Sequence, residues 1–191
     1  MKENIYKTPL GDIHYWINVI DQEKTTLVFL PGLTADHRLF DKQIAYFEYK
    51  VNVFVWDAPG HASSWPFKLE FDLMDKAKWL DEILELENIK YPVIVGQSMG
   101  GYVGQAYAGH GMKILAEAME RDLPYKIECT ALLICGEKDY AGSCIRYNKA
   151  WHKNTNIPIA WIKDAGHNSN TDKPEVINEL IEKIENQISN I

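Results

Sequence analysis

The chain has 191 residues, 46% of them apolar and 25% charged, a balance that suits one soluble globular domain with a sizeable core. Its 20 basic and 27 acidic residues leave a formal charge of −7, which argues against nucleic acid or an acidic membrane as partner, since both call for a basic face. The three cysteines, Cys129, Cys135 and Cys144, form no CxxC pair and fit reduced thiols in a cytosol better than a disulfide framework. The opening MKENIYKTPLGD holds no apolar core of signal-peptide length, and no apolar run is long enough to cross a bilayer, so a cytoplasmic protein is expected.

Two early segments, Asn4–Lys7 and Asp12–Val19, read as strands with a turn at Gly11-Asp12. TTLVFL (Thr25–Leu30) is a continuous apolar strand that stops at Pro31-Gly32, and VNVFVW (Val51–Trp56) is another, stopping at Asp57. Asp72 stands where it can cap a helix whose face is marked by Leu73, Ala77, Leu80 and Leu84. Further strands are expected at Pro92–Val95, Ala131–Cys135 and Ile157–Ile162. Val176, Ile177, Leu180, Ile181, Ile184 and Ile188 mark the last helix, with Asp172 as its cap and Pro174 in its first turn. Strands apolar on both faces, alternating with helices, predict an α/β fold with a mostly parallel, doubly wound sheet in a single domain spanning 1–191. Ligand sites in such sheets lie beyond the carboxyl ends of the strands, which is where the Gly-rich and polar punctuation falls here.

Gly96-Gln97-Ser98-Met99-Gly100 matches G-x-S-x-G between a strand and a helix. A nucleophile carried on so sharp a turn needs small neighbours two residues away on each side. The helix that follows turns its N-terminal N–H groups and positive dipole end toward a developing oxyanion. A serine hydroxyl needs a base to take its proton, and the base needs a third group to hold its tautomer. Of the six histidines only His167 follows the last strand, in the polar loop AGHNSN. Asp139, in CGEKD, follows the ALLIC strand. The order Ser98, Asp139, His167, each in a loop after a buried strand, is more specific than any one of the three.

These segments resemble the α/β-hydrolase fold family over most of the chain. FLPGL (Phe29–Leu33), with Phe40 downstream, looks like its oxyanion loop, and WDAPGHASS (Trp56–Ser64) like the loop after the next strand. GQSMGG resembles the nucleophile elbow, LLICGEKD the acid loop and DAGHNSN the histidine loop. The resemblance implies Ser98 as nucleophile, His167 as general base, Asp139 as its orienter, and the backbone N–H groups of Leu33 and Met99 as the oxyanion hole. Pro31 stands where many members have histidine, which matters little for a backbone donor. A serine nucleophile implies hydrolysis of small carboxylic esters, thioesters or lactones through an acyl-enzyme, with peptidases and hydroxynitrile lyases of the same fold left open. No metal-ligand spacing and no phosphate loop stands in the sequence, so no cofactor and no metal are expected.

The resemblance breaks after the elbow. Family members carry a further strand and a lid there, but only 40 residues separate Ser98 from Asp139. Met112, Leu115, Ala118, Met119 and Leu123 mark a second helical stripe ending at Pro124, directly after Gly109-His110-Gly111. A strand and most of the lid are therefore expected to be missing at about 108–112, by natural or engineered shortening. Neighbouring strands lie about 4.8 Å apart, so an unrepaired loss would break a triad held by contacts of about 3 Å. Two other readings follow: a weak or inactive hydrolase scaffold, and a small-molecule receptor using the same pocket. Exposed strand edges beside the lost position would also suit a homodimer formed by swapping across the Gly-His-Gly connection.

Overall fold

The computed structural model describes residues 1–108 and 129–189. The Gly109-His110-Gly111 connection, the stripe from Met112 to Leu123 and the expected deletion point lie outside the described residues, apart from Ala108. The described residues fall into two compact units: Met1–Tyr107 with the chain from Glu185 on, and those of Ala108–Ile184.

In the first unit, β1 (Lys2–Thr8) and β2 (Gly11–Asn18) form an antiparallel hairpin with Thr8 opposite Gly11. The turn is therefore Pro9-Leu10 rather than Gly11-Asp12. Thr8 sets it: its Oγ1 accepts the Leu10 and Gly11 amides, both at 3.1 Å, and donates to the Gly11 carbonyl at 2.8 Å. β3 (Thr26–Leu30) and β4 (Asn52–Trp56) are buried at every residue, as strands apolar on both faces should be in a covered sheet. With β5 (Pro92–Gly96) they complete a five-stranded sheet of order β1-β2-β4-β3-β5. β2 and β4 run antiparallel, whereas β4, β3 and β5 are parallel. Leu30 pairs with Gly96, so β3 and β5 end level with one another.

Successive side chains leave these strands on opposite faces. Ile13, Tyr15, Ile17, Val28, Leu30, Phe54 and Trp56 pack with Leu80, Ile83 and Leu84 of α2 (Leu73–Leu86) and with Val103 of α3 (Met99–Ala108). Phe29, one step out of phase with Val28 and Leu30, meets Phe40 at 4.9 Å between ring centroids, just ahead of α1 (Asp41–Phe47). Each such large side chain contributes about 1.5–3 kcal/mol on burial. Asp72 caps α2 as expected: its Oδ1 accepts the Met74 and Asp75 amides at 2.7 and 3.0 Å, while Asp75 accepts the Asp72 amide at 2.9 Å. A cap of this kind stabilises a helix by about 1 kcal/mol.

The second unit is built on a parallel pair, β6 (Leu133–Gly136) and β7 (Ile159–Ile162), joined by α4 (Cys144–Thr155). Both strands begin two residues later than the apolar runs suggest. Pro158 has no N–H to donate, so the ladder starts beyond it, with the Leu133 amide on the Pro158 carbonyl at 2.8 Å. Asn156, at φ +59°, closes α4 with a left-handed residue. After α5 (Ser169–Asp172), α6 (Pro174–Ser189) opens on Pro174. It buries Ile177 and Ile181 from the expected face, while Val176 is exposed.

Candidate active site

Two residues, Gln97 and Ser98, turn the chain from β5 into α3. Ser98 takes φ +51°, a left-handed backbone that costs a residue with a side chain about 1–2 kcal/mol. Main-chain bonds hold it there. The Gln97 amide donates to the Leu30 carbonyl at 3.0 Å, Gly100 to Gln97 at 2.9 Å and Gly101 to Ser98 at 2.9 Å. The glycines are needed for space: a Cβ on Gly96 would overlap the Gly100 carbonyl, and one on Gly100 would overlap the Leu30 carbonyl oxygen. Gly100→Ala should therefore destabilise the protein by about 3 kcal/mol, the upper end for overpacking, because the wall it meets is backbone. Gly101→Ala is the control, since its Cβ would meet nothing closer than the Gly96 carbonyl oxygen at 3.5 Å. Chemical denaturation of the two variants separates them; equal midpoints would mean that the turn has room to relax.

The loop after β3 runs directly against this turn. A Cβ on Gly32 would overlap the Gln97 amide oxygen and lie 3.0 Å from the Ser98 Cβ. Leu33 follows with its side chain exposed. The downstream end of this loop is tied to the loop after β4 by Asp57, which is fully buried. Its carboxylate accepts the His37 amide at 2.8 Å, His37 Nδ1–H at 2.9 Å and the Ser63 amide at 2.9 Å. The His37 ring in turn stacks on Trp16 at 3.8 Å.

The second unit brings Asp139 and His167 together. Asp139 follows β6 and is 7% exposed. Its two oxygens lie 3.1 and 3.0 Å from His167 Nδ1, and its Oδ1 also accepts the Ala141 amide at 3.1 Å. An acceptor-only carboxylate places the imidazole proton on Nδ1 and leaves Nε2 as the proton acceptor. A Cβ on Gly136 would overlap the Gly166 and Ala165 carbonyl oxygens, so the acid strand and histidine loop pack backbone to backbone. Asp172, read from the sequence as a helix cap, accepts the Gly166 amide at 2.7 Å, and Ser169 Oγ donates to the Gly166 carbonyl at 2.9 Å.

Residues 25–116 match a family described as the alpha/beta hydrolase fold. The chain has the α/β-hydrolase fold. A predicted CIB-like hydrolase from Thermoplasma acidophilum is similar in structure, with a TM-score of 0.76 at 20% identity over 97% of this chain and 98% of that one. A carboxylesterase of the thaumarchaeon Nitrososphaera gargenis has a TM-score of 0.79 at 14% identity, covering 98% and 99% of the two chains. The enol-lactonase from Burkholderia xenovorans LB400 has a TM-score of 0.73 at 17% identity, covering 91% and 96%. A search of curated proteins finds no match to this sequence.

In this α/β-hydrolase fold, Ser98, Met99 and Leu33 belong to the first unit and Asp139 and His167 to the second. Sequence reading gave no role to Asp57 or to Cys144. Cys144 Sγ lies 3.8 Å from His167 Nδ1 and within 4.8 Å of an Asp139 carboxylate oxygen. Burial, and then the charge of Asp139, push the Cys144 thiol above its ordinary pKa. Burial does the same to Cys135, pushed up to about 11. Among the described residues no helix is long and apolar enough to cross a membrane.

Proposed function

We propose that this chain is a serine hydrolase that cleaves small carboxylic esters, thioesters or lactones through an acyl-enzyme. The observation that carries the reading is the left-handed Ser98, held at a cost on a glycine-closed turn at the mouth of a parallel sheet. Strain of this kind collects where a side chain must be presented for function. The Asp139–His167 pair supports it, because its polarity is the one a general base needs.

In this mechanism Ser98 Oγ attacks the ester carbonyl while His167 Nε2 takes its proton. Asp139 holds Nδ1–H and stabilises the imidazolium. The amides of Leu33 and Met99 bind the oxyanion, and His167 returns the proton to the leaving alkoxide, thiolate or ring oxygen. Water, deprotonated by His167, then attacks the acyl carbon and releases the acid. The carboxylesterase and enol-lactonase among the structural neighbours support this substrate class. The short interval between Ser98 and Asp139 supports a lid-poor form working on small, open-bound substrates.

A fluorophosphonate probe tests the nucleophile directly. The serine oxygen displaces fluoride and forms a stable phosphonyl ester. Mass spectrometry of the digested protein should find one adduct, on the peptide containing Ser98. An unlabelled Ser98 under conditions that label a control serine esterase would overturn the proposal.

A further inference from the structure

We propose that Asp139, Cys144 and His167 together form a zinc site whose occupation switches the acid–base pair off. The three donors come from two loops and the first residue of α4 in the second unit, and their ligand atoms all lie within 4.8 Å of one another. His167 Nδ1 is 3.0 Å from Asp139 Oδ2 and 3.8 Å from Cys144 Sγ. Tetrahedral zinc with bonds of about 2.0–2.3 Å needs donor separations of about 3.4 Å for N···O and about 3.6 Å for N···S. The two pairs that involve His167 meet those separations with shifts of about 0.4 Å or less, and the Cys144 sulfur and Asp139 oxygen, within 4.8 Å of one another, close on a shared ion by side-chain rotation.

The donor set also selects the metal. Thiolate and imidazole suit zinc, whereas magnesium and calcium call for oxygen cages. One thiolate and one carboxylate neutralise a divalent ion, and a water completes the fourth position. The loops that present the donors are braced independently of any metal. The Ala141 amide bonds Asp139, and Asp172 and Ser169 clamp Gly166 beside His167.

The proton balance explains the switch. Zinc binds Nδ1 of the neutral imidazole, so the proton that sat there moves through solvent to Nε2. The Cys144 thiol gives its proton to solvent as the S–Zn bond forms. Nε2 then carries a hydrogen and has no lone pair with which to accept the Ser98 proton. This inhibitory part rests on His167 being the general base; the metal site itself does not.

Cobalt(II) is the probe that separates the two. Titrating the intact protein with cobalt should produce a thiolate-to-cobalt charge-transfer band that saturates at one ion per chain and disappears on adding zinc. Cys144→Ala and Cys144→Ser should show no such band while keeping the parent far-ultraviolet circular dichroism. Zinc should inhibit the parent reversibly, with chelator restoring the rate. The half-inhibiting concentration should rise at least tenfold in Cys144→Ala, since losing even an outer-shell partner costs about 10–100-fold in affinity. No band in the parent, or a band that survives in both Cys144 variants, would overturn the site. A cobalt band with an uninhibited parent would overturn the switch. If the protein hydrolyses no ester, the cobalt spectra still decide the site.

Discussion

Replacing Ser98 by alanine should lower kcat for an activated ester by about 10⁴- to 10⁶-fold, the scale seen when a triad nucleophile is removed. What remains is binding and the oxyanion amides, which by themselves give about 10³–10⁴ over water. The fold should survive, because Ser98 is exposed and the turn is held by main-chain bonds at Gln97, Gly100 and Gly101. Ser98→Gly sharpens the test. Glycine adopts a positive φ freely, so the variant sheds about 1–2 kcal/mol of strain and loses about 0.4–1 kcal/mol to a freer unfolded chain. It should be as inactive as the alanine variant yet slightly more stable. A residue kept for chemistry at the expense of stability behaves in this way. Activity within tenfold of the parent in Ser98→Ala would remove the serine from the mechanism.

Asp139→Asn should lower kcat by about 10⁴-fold with little change in KM or in unfolding midpoint. Asparagine keeps the shape and can still accept the Ala141 amide, so the loop should hold. Its NH2 group, however, faces His167 Nδ1 as a donor, which obliges Nδ1 to accept and moves the imidazole proton to Nε2. The base is then in the wrong tautomer at the moment of attack. A steady-state comparison with Asp139→Ala separates orientation from packing, since the alanine variant leaves the tautomer free. A loss smaller than tenfold in Asp139→Asn would mean that the carboxylate does not orient the base.

The features legible in the sequence are those with a local physical cause. TTLVFL and VNVFVW are apolar at almost every position, and only a strand covered on both faces buries such a run; β3 and β4 do so throughout. The Asp72 cap and the spacing of Ala77, Leu80 and Leu84 are likewise properties of one helix. Where the expectation slipped, a neighbour decided the outcome. Gly11 looks like a turn residue, but the Thr8 hydroxyl closes a tighter turn ahead of it. Asp172 sits in a cap position by sequence, yet it finds the Gly166 amide.

Of the candidate site, the Ser98 turn and the pairing of Asp139 with His167 follow from chain order on a parallel sheet. Cys144 left no signal, because its approach to His167 depends on how the chain leaves Asp139 and enters α4. Asp57 stands in the WDAPGHASS motif, but its tie to His37 bridges two loops that only the β3–β4 pairing brings side by side.

The level ending of β3 and β5 has a consequence for tolerance to mutation. Leu30 faces Gly96 across a ladder of main-chain hydrogen bonds, and the loops that carry Leu33 and Ser98 start from that pair. The direction of the Leu33 and Met99 amides is therefore copied from strand register, which mutation of surrounding side chains does not rewrite. Only the glycines that let the two loops touch are fixed in kind. Neighbours at 14–20% identity share this fold with TM-scores of 0.73–0.79. What aims the two loops is an alignment of backbones, which leaves the side chains around it open to substitution.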